Sequence, residues 1–237
     1  MPSIKKEAFG EGSVWTLRNT KGNELKVTNI GARVVSMRFR DKDFTNRFLL
    51  KDSASCVFID GGADFADITW QGEQTDVGVK FTANLGDKTA TVIYSLSNDN
   101  EISIRYEASG INDITTQMVF SADALPDVDF RACQKGAAWE KISAAKNYPV
   151  TEPAEVMMEV GMFGYDPGCP IDYLEAGLKN AANLFSDAAS IEIIVYATQD
   201  AIDVQAVDGG FALKTSGTTA ADGKIKSQTV YMLKNRK

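Results

Sequence analysis

The chain of 237 residues carries 25 Lys and Arg against 32 Asp and Glu, a formal charge of −7 that would repel a phosphate backbone and so excludes nucleic acid as a partner class. It contains no histidine, which removes Ser-His-Asp and Cys-His nucleophiles, His-ligated metals and the two-His zinc helix together. No apolar run approaches the roughly 20 residues of a transmembrane helix, and the length and average composition predict one domain over residues 1–237.

In chain order, the opening residues to Gly10 are charged and polar, without the apolar region of a secretory signal. Residues 14–19 and 24–29 alternate with period two around Thr20-Lys21-Gly22-Asn23, a hairpin signal. After a break at Gly31, residues 33–40 alternate again. Further strands are expected at 67–73, 78–84, 89–96 and 101–109, turning at Gly86-Asp87 and at Asn98-Asp99-Asn100. Residues 131–190, with Pro149, Pro153, Pro167 and Pro170, read mostly as loop, with a short helix expected over 171–185. Strands resume at 191–197, 202–207, 211–215 and 225–233. Many short strands without alternating helices predict an all-β, antiparallel sandwich with little helix.

Cys56, Cys133 and Cys169 are an odd set without CxxC spacing, which argues against a disulfide framework or a zinc site and for small buried hydrophobes. That usage fits an intracellular, reducing compartment: cytoplasm, or an organelle after removal of a transit peptide. Asp123, Asp127 and Asp129 form an acidic run without the spacing of a calcium loop, so no metal and no cofactor are expected.

Two segments carry a resemblance. Residues 17–32, LRNTKGNELKVTNIGA, resemble the opening of aldose 1-epimerases, "L-x-N-x-x-G-x-x-V-x-I-T-N-Y-G-A". Residues 90–108, ATVIYSLSNDNEISIRYEA, are similar to that family's hairpin "V-x-Y-x-L-x-D-x-N-x-L-x-I-x-Y-x-A", and Thr229-Val230-Tyr231-Met232-Leu233 resembles its last strand. The resemblance implies a galactose mutarotase-like β-sandwich of the supersandwich type.

The departures fall on the residues that the family uses for chemistry. Its "H-G-G" turn ahead of a tryptophan matches Asp60-Gly61-Gly62 before Trp70, with aspartate in the histidine place. Its "N-H-x-Y-F" histidine falls at Ser121, after Phe120. Its basic glutamate in "G-F-x-L-E-T" falls at Lys214 in Gly210-Phe211-Ala212-Leu213-Lys214-Thr215; on another register that segment is deleted. Ring opening needs an acid and a base with pKa values near working pH, and unperturbed Asp and Lys, at roughly 3.9 and 10.4, are far from it. Asp60 also reads as a plain turn residue, and Trp70 as either a sugar-stacking platform or core.

Asp60, Gly61, Gly62, Trp70, Ser121 and Lys214 therefore mark a vestigial cleft with no assigned catalytic residue. The expected function is a non-catalytic aldose 1-epimerase-like protein, either a structural subunit with protein partners or a carbohydrate-binding module. The alternative is an active aldose 1-epimerase or hexose-phosphate epimerase using Asp and Lys. For the latter, Arg33, Arg38, Arg40 and Arg47 are candidate phosphate readers, with Arg38 and Arg40 on one face and Arg33 on the other.

Overall fold

The structure, a computed structural model, describes residues 2–51, 56–59, 63–153, 177–218, 220 and 222–236. The chain opens with β1 (Ser3–Phe9), β2 (Gly12–Arg18), β3 (Glu24–Thr28), β4 (Arg33–Arg40), β5 (Asn46–Phe48) and β6 (Cys56–Ile59), then a single helical turn, α1 (Ala63–Ala66). It continues through β7 (Gln71–Gln74), β8 (Val79–Leu85), β9 (Lys88–Leu96), β10 (Glu101–Ser109), β11 (Asp113–Ser121), β12 (Asp129–Ala132) and β13 (Glu140–Lys141). The remaining strands are β14 (Lys146–Pro149), β15 (Glu152–Pro153), β16 (Lys179–Ser186), β17 (Ile191–Ala197), β18 (Ala201–Val207), β19 (Gly210–Thr218) and β20 (Lys224–Asn235).

Three sheets form. The first is the meander β1-β2-β3-β4-β5, the large sheet runs β13-β12-β16-β17-β20-β10-β9-β8-β7 with β15 beside β16, and the third is β14-β18-β19-β11-β6. The pairings are antiparallel, as the sequence predicts. Among the described residues no helix is long and apolar enough to cross a membrane.

Strand register fixes how the sheets stack. Val79, Tyr94, Ile104, Thr229 and Ala197 are successive cross-strand partners, so they project from one face of the large sheet. The first sheet covers one part of that face: Trp15 meets Phe81 edge-on at 5.2 Å, and the Tyr94 hydroxyl donates to the Ala32 carbonyl at 2.5 Å. The third sheet covers the neighbouring part, where Phe120 contacts Tyr231 at 6.0 Å and the hydroxyls of Thr215 and Thr229 meet at 2.9 Å. Leu50 bridges to Phe120, and Lys51 N donates to the Val119 carbonyl, which stitches the first and third sheets into one opposing layer. One core cluster runs through all three sheets.

Three expectations are corrected. Of the helix expected over 171–185, residues 171–176 lie outside the described residues, and Lys179–Ser186 is a strand, because Ala181 forms a bulge that puts Ala181 and Ala182 both inside and breaks the period-two signal. The stretch read mostly as loop also holds β12 to β15. The strand expected at 67–73 starts later, at Gln71, since α1 precedes it.

Candidate functional site

The residues that resemble the epimerase opening form a clamp. Asn29 Oδ1 accepts from Ser13 N at 2.7 Å, and its Nδ2 donates to the Trp70 carbonyl at 3.1 Å, while Trp70 N donates back to the Asn29 carbonyl at 2.8 Å. Gly31 N donates to the Ile68 carbonyl at 2.9 Å, and Arg33 reaches the Ala66 carbonyl at 2.9 Å. Gly31 adopts φ +64°, and a Cβ there would stand 2.0 Å from the Ala66 carbonyl oxygen, so both conformation and space require glycine. This clamp fixes the segment 66–70 against the first sheet.

Trp70 is therefore sealed. Its side chain is only 2% exposed, its Nε1 donates to the Phe65 carbonyl at 2.9 Å, and its ring tilts against Phe65 at 5.7 Å. Of the two readings of Trp70, the core position is the one with geometry behind it. Asp60, Gly61 and Gly62 lie outside the described residues, and so does Cys169.

Ser121 and Lys214 occupy one face of the third sheet but do not meet. Ser121 pairs with Gly210 and Lys214 with Gln117, four residues apart along the strands, or about 13 Å. Both are half-buried, and Lys214 stands across from Asp203, whose carboxylate accepts from Asn147 at 2.6 Å.

Three of the four arginines considered as phosphate readers are engaged elsewhere. Arg33 pairs with Asp67 at 2.9 Å, Arg38 with Glu24 at 2.6 Å and Arg47 with Asp41 at 2.8 Å. Of the acidic run, Asp129 pairs with Lys141 at 2.9 Å, and no group of three potential metal ligands converges among the described residues. Cys133, expected to be buried, is half-buried, with its Sγ 3.1 Å from Asn180 Oδ1.

The polar groups that do converge lie between the layers, where the sequence reads as ordinary strand. Thr116 and Thr215 hydroxyls meet at 2.7 Å, Thr198 and Ser227 at 3.1 Å, and Gln199 Nε2 donates to the Tyr106 hydroxyl at 2.8 Å. Burial pushes the Tyr106 phenol above its ordinary value, against hydrogen bonds from Ser227, Gln199, Thr215 and Thr116. The signal for this seam is the row of threonines at alternating, otherwise apolar positions of β11, β19 and β20. The opposite face of the large sheet is also closed at its centre, where Ser103, Gln228, Val230 and Tyr196 are buried and Gln228 Nε2 donates to Ser103 Oγ at 2.8 Å.

No protein-family model matches the chain, and no curated protein matches it in sequence. Solved structures do match in shape. A GalM/aldose epimerase homologue from C. elegans superposes with a TM-score of 0.62 at 12% identity over 100% of both chains. Galactose 1-epimerase from Lactobacillus acidophilus gives 0.58 at 14% over 100% of this chain and 99% of its own. A mutarotase homologue from Salmonella typhimurium gives 0.60 at 8% over 98% and 94%. This chain thus has the antiparallel galactose mutarotase-like sandwich fold that its two sequence motifs imply.

Proposed function

We propose that this chain is a non-catalytic mutarotase-like protein that serves as a structural subunit of a protein assembly. The observation that carries the reading is the dispersal of the groups in the family's functional places. Trp70 is locked in the core by Phe65 and Asn29, and Ser121 and Lys214 are about 13 Å apart on a different sheet. Epimerisation needs an acid and a base within hydrogen-bond reach of one sugar ring, and Ser121 and Lys214, the two such positions among the described residues, do not converge. The burial of Phe65 and Phe120, 1% and 0% exposed, supports a filled cleft over an open one.

A partner surface is favoured by the first sheet, whose two edge strands carry the exposed aromatics Phe9 and Phe48, 44% and 60% exposed. The test has two arms. Polarimetry with glucose and galactose is expected to give the buffer rate at every protein concentration, and a rate proportional to protein overturns the reading. The native protein is expected to sediment as part of a particle larger than the 25.7 kDa chain and to leave it when Phe9 and Phe48 are changed to serine. Sedimentation as a free monomer overturns the assembly role.

A further inference from the structure

A concavity lies at the far end of the β2–β3 hairpin from the Asn29–Trp70 clamp. It is a cleft of about 240 Å³, smaller than the roughly 300 Å³ at which drug-sized sites begin. Lys21, Arg40 and Lys42 line it, together with Phe44, Asn100 and Asn235. Three cations around one small cleft are notable in a chain with net charge −7.

Asp41 also lines the cleft, but its carboxylate is taken up within its own turn and by Arg47. The Asp41 side chain is 2% exposed; its Oδ1 accepts from Asp43 N at 3.0 Å and Thr45 N at 2.8 Å, and its Oδ2 accepts from Arg47 at 2.8 Å. Burial works to raise the Asp41 carboxyl, but these hydrogen bonds outweigh it and hold it below its ordinary value. Arg40 and Lys42 have no carboxylate partner among the described residues. Lys21 stands 3.5 Å from Asp99, an exposed pair that an incoming anion can displace.

The same turn holds Phe44 at φ +62°, where a bulky side chain is rare, and leaves its ring 73% exposed with the Arg40 guanidinium 5.1 Å from its centroid. The cleft walls are hydrogen-bonded to one another. Asn100 Oδ1 accepts from Asn19 and Asn23 at 3.0 and 2.6 Å, Asn23 Oδ1 accepts from Arg40 N at 2.7 Å, and Asn235 donates to the Arg40 carbonyl at 3.2 Å.

We propose that this cleft binds the phosphate monoester group of a small ligand whose apolar face rests on Phe44. A single carboxylate is a poorer match, since its one charge would satisfy only one of the three cations. Trp70, Ser121 and Lys214 do not line this cleft, so its test and that of the assembly role succeed or fail separately.

The experiment is calorimetric titration of the whole chain with inorganic phosphate, sulfate, phenyl phosphate and acetate. Phosphate and sulfate are expected to bind saturably and acetate at least about tenfold more weakly. Arg40→Gln and Lys42→Gln, which alter exposed side chains, are expected to keep the melting temperature and to weaken phosphate about tenfold or more. Phe44→Ala is expected to weaken phenyl phosphate and leave inorganic phosphate unchanged, which separates the ring's role from that of the cations. Non-saturable heats, or equal affinity in the wild type and both Gln variants, overturn the proposal; equal phenyl phosphate affinity in Phe44→Ala overturns the role of the ring.

Discussion

Replacing Trp70 separates a core residue from a ligand platform. A tryptophan buried to 2% removes about 200 Å² from water, which at about 25 cal/mol per Å² is about 5 kcal/mol, in line with the 3–5 kcal/mol measured for such truncations. Trp70→Ala is therefore expected to cost about 3–5 kcal/mol. With a urea dependence of about 3 kcal/mol per M for a chain of this size, the unfolding midpoint should fall by about 1–1.7 M. Trp70→Phe keeps most of the apolar area but strands the Phe65 carbonyl that Nε1 satisfies at 2.9 Å, for about 1–3 kcal/mol. The assay is urea unfolding followed by circular dichroism, with hexose calorimetry on the same samples. An unchanged midpoint in Trp70→Ala, joined to the loss of a hexose heat seen in the wild type, would refute the reasoning and make Trp70 a binding residue.

Gly31→Ala should destabilise by about 2–4 kcal/mol, because a Cβ at φ +64° collides with the Ala66 carbonyl; a wild-type melting temperature would show that the clamp is loose. Asn100→Ala should cost about 2–4 kcal/mol by stranding the amides of Asn19 and Asn23 and placing alanine at φ +67°, and Asn100→Gly should recover the conformational share, both read by thermal melts. Burial raises the phenols of Tyr106 and Tyr231, so the neutral form is favoured in the fold. Their contribution to stability is complete below the unfolded value of about 10 and falls as pH rises above it. Tyrosinate absorbance should therefore appear together with unfolding, and titration of all seven tyrosines near pH 10 in a folded chain would contradict this.

Much of the fold was legible because the matched motifs are scaffold. The opening motif ends in the Asn29–Gly31 clamp, and its turn locks onto the hairpin motif, Thr20 bonding to Asn98 and Asn19 to Asn100. Residues under such constraint report architecture and say nothing about chemistry. Strands were missed or misread where the local pattern is weak or broken. β16 carries a bulge, β1 is exposed along almost its whole length, and β11 buries Thr116 where alternation leads one to expect an apolar residue. The candidate site was legible one residue at a time but not as a constellation. That Ser121 and Lys214 share a face about 13 Å apart depends on the register of β11 against β19, strands about a hundred residues apart in sequence.

The position of β20 sets the order in which the molecule is completed. This strand, formed by Lys224–Asn235, is hydrogen-bonded on both sides, to β10 and to β17, so it is an interior strand of the large sheet. While a ribosome still holds those twelve residues, β10 and β17 each present a long unpaired edge, and Tyr231 and Leu233 are absent from the core. Folding to the final state thus waits for Lys224–Asn235, and the waiting species is one that another strand can invade. A polypeptide cut before Lys224 is expected to aggregate in place of accumulating as a smaller soluble domain.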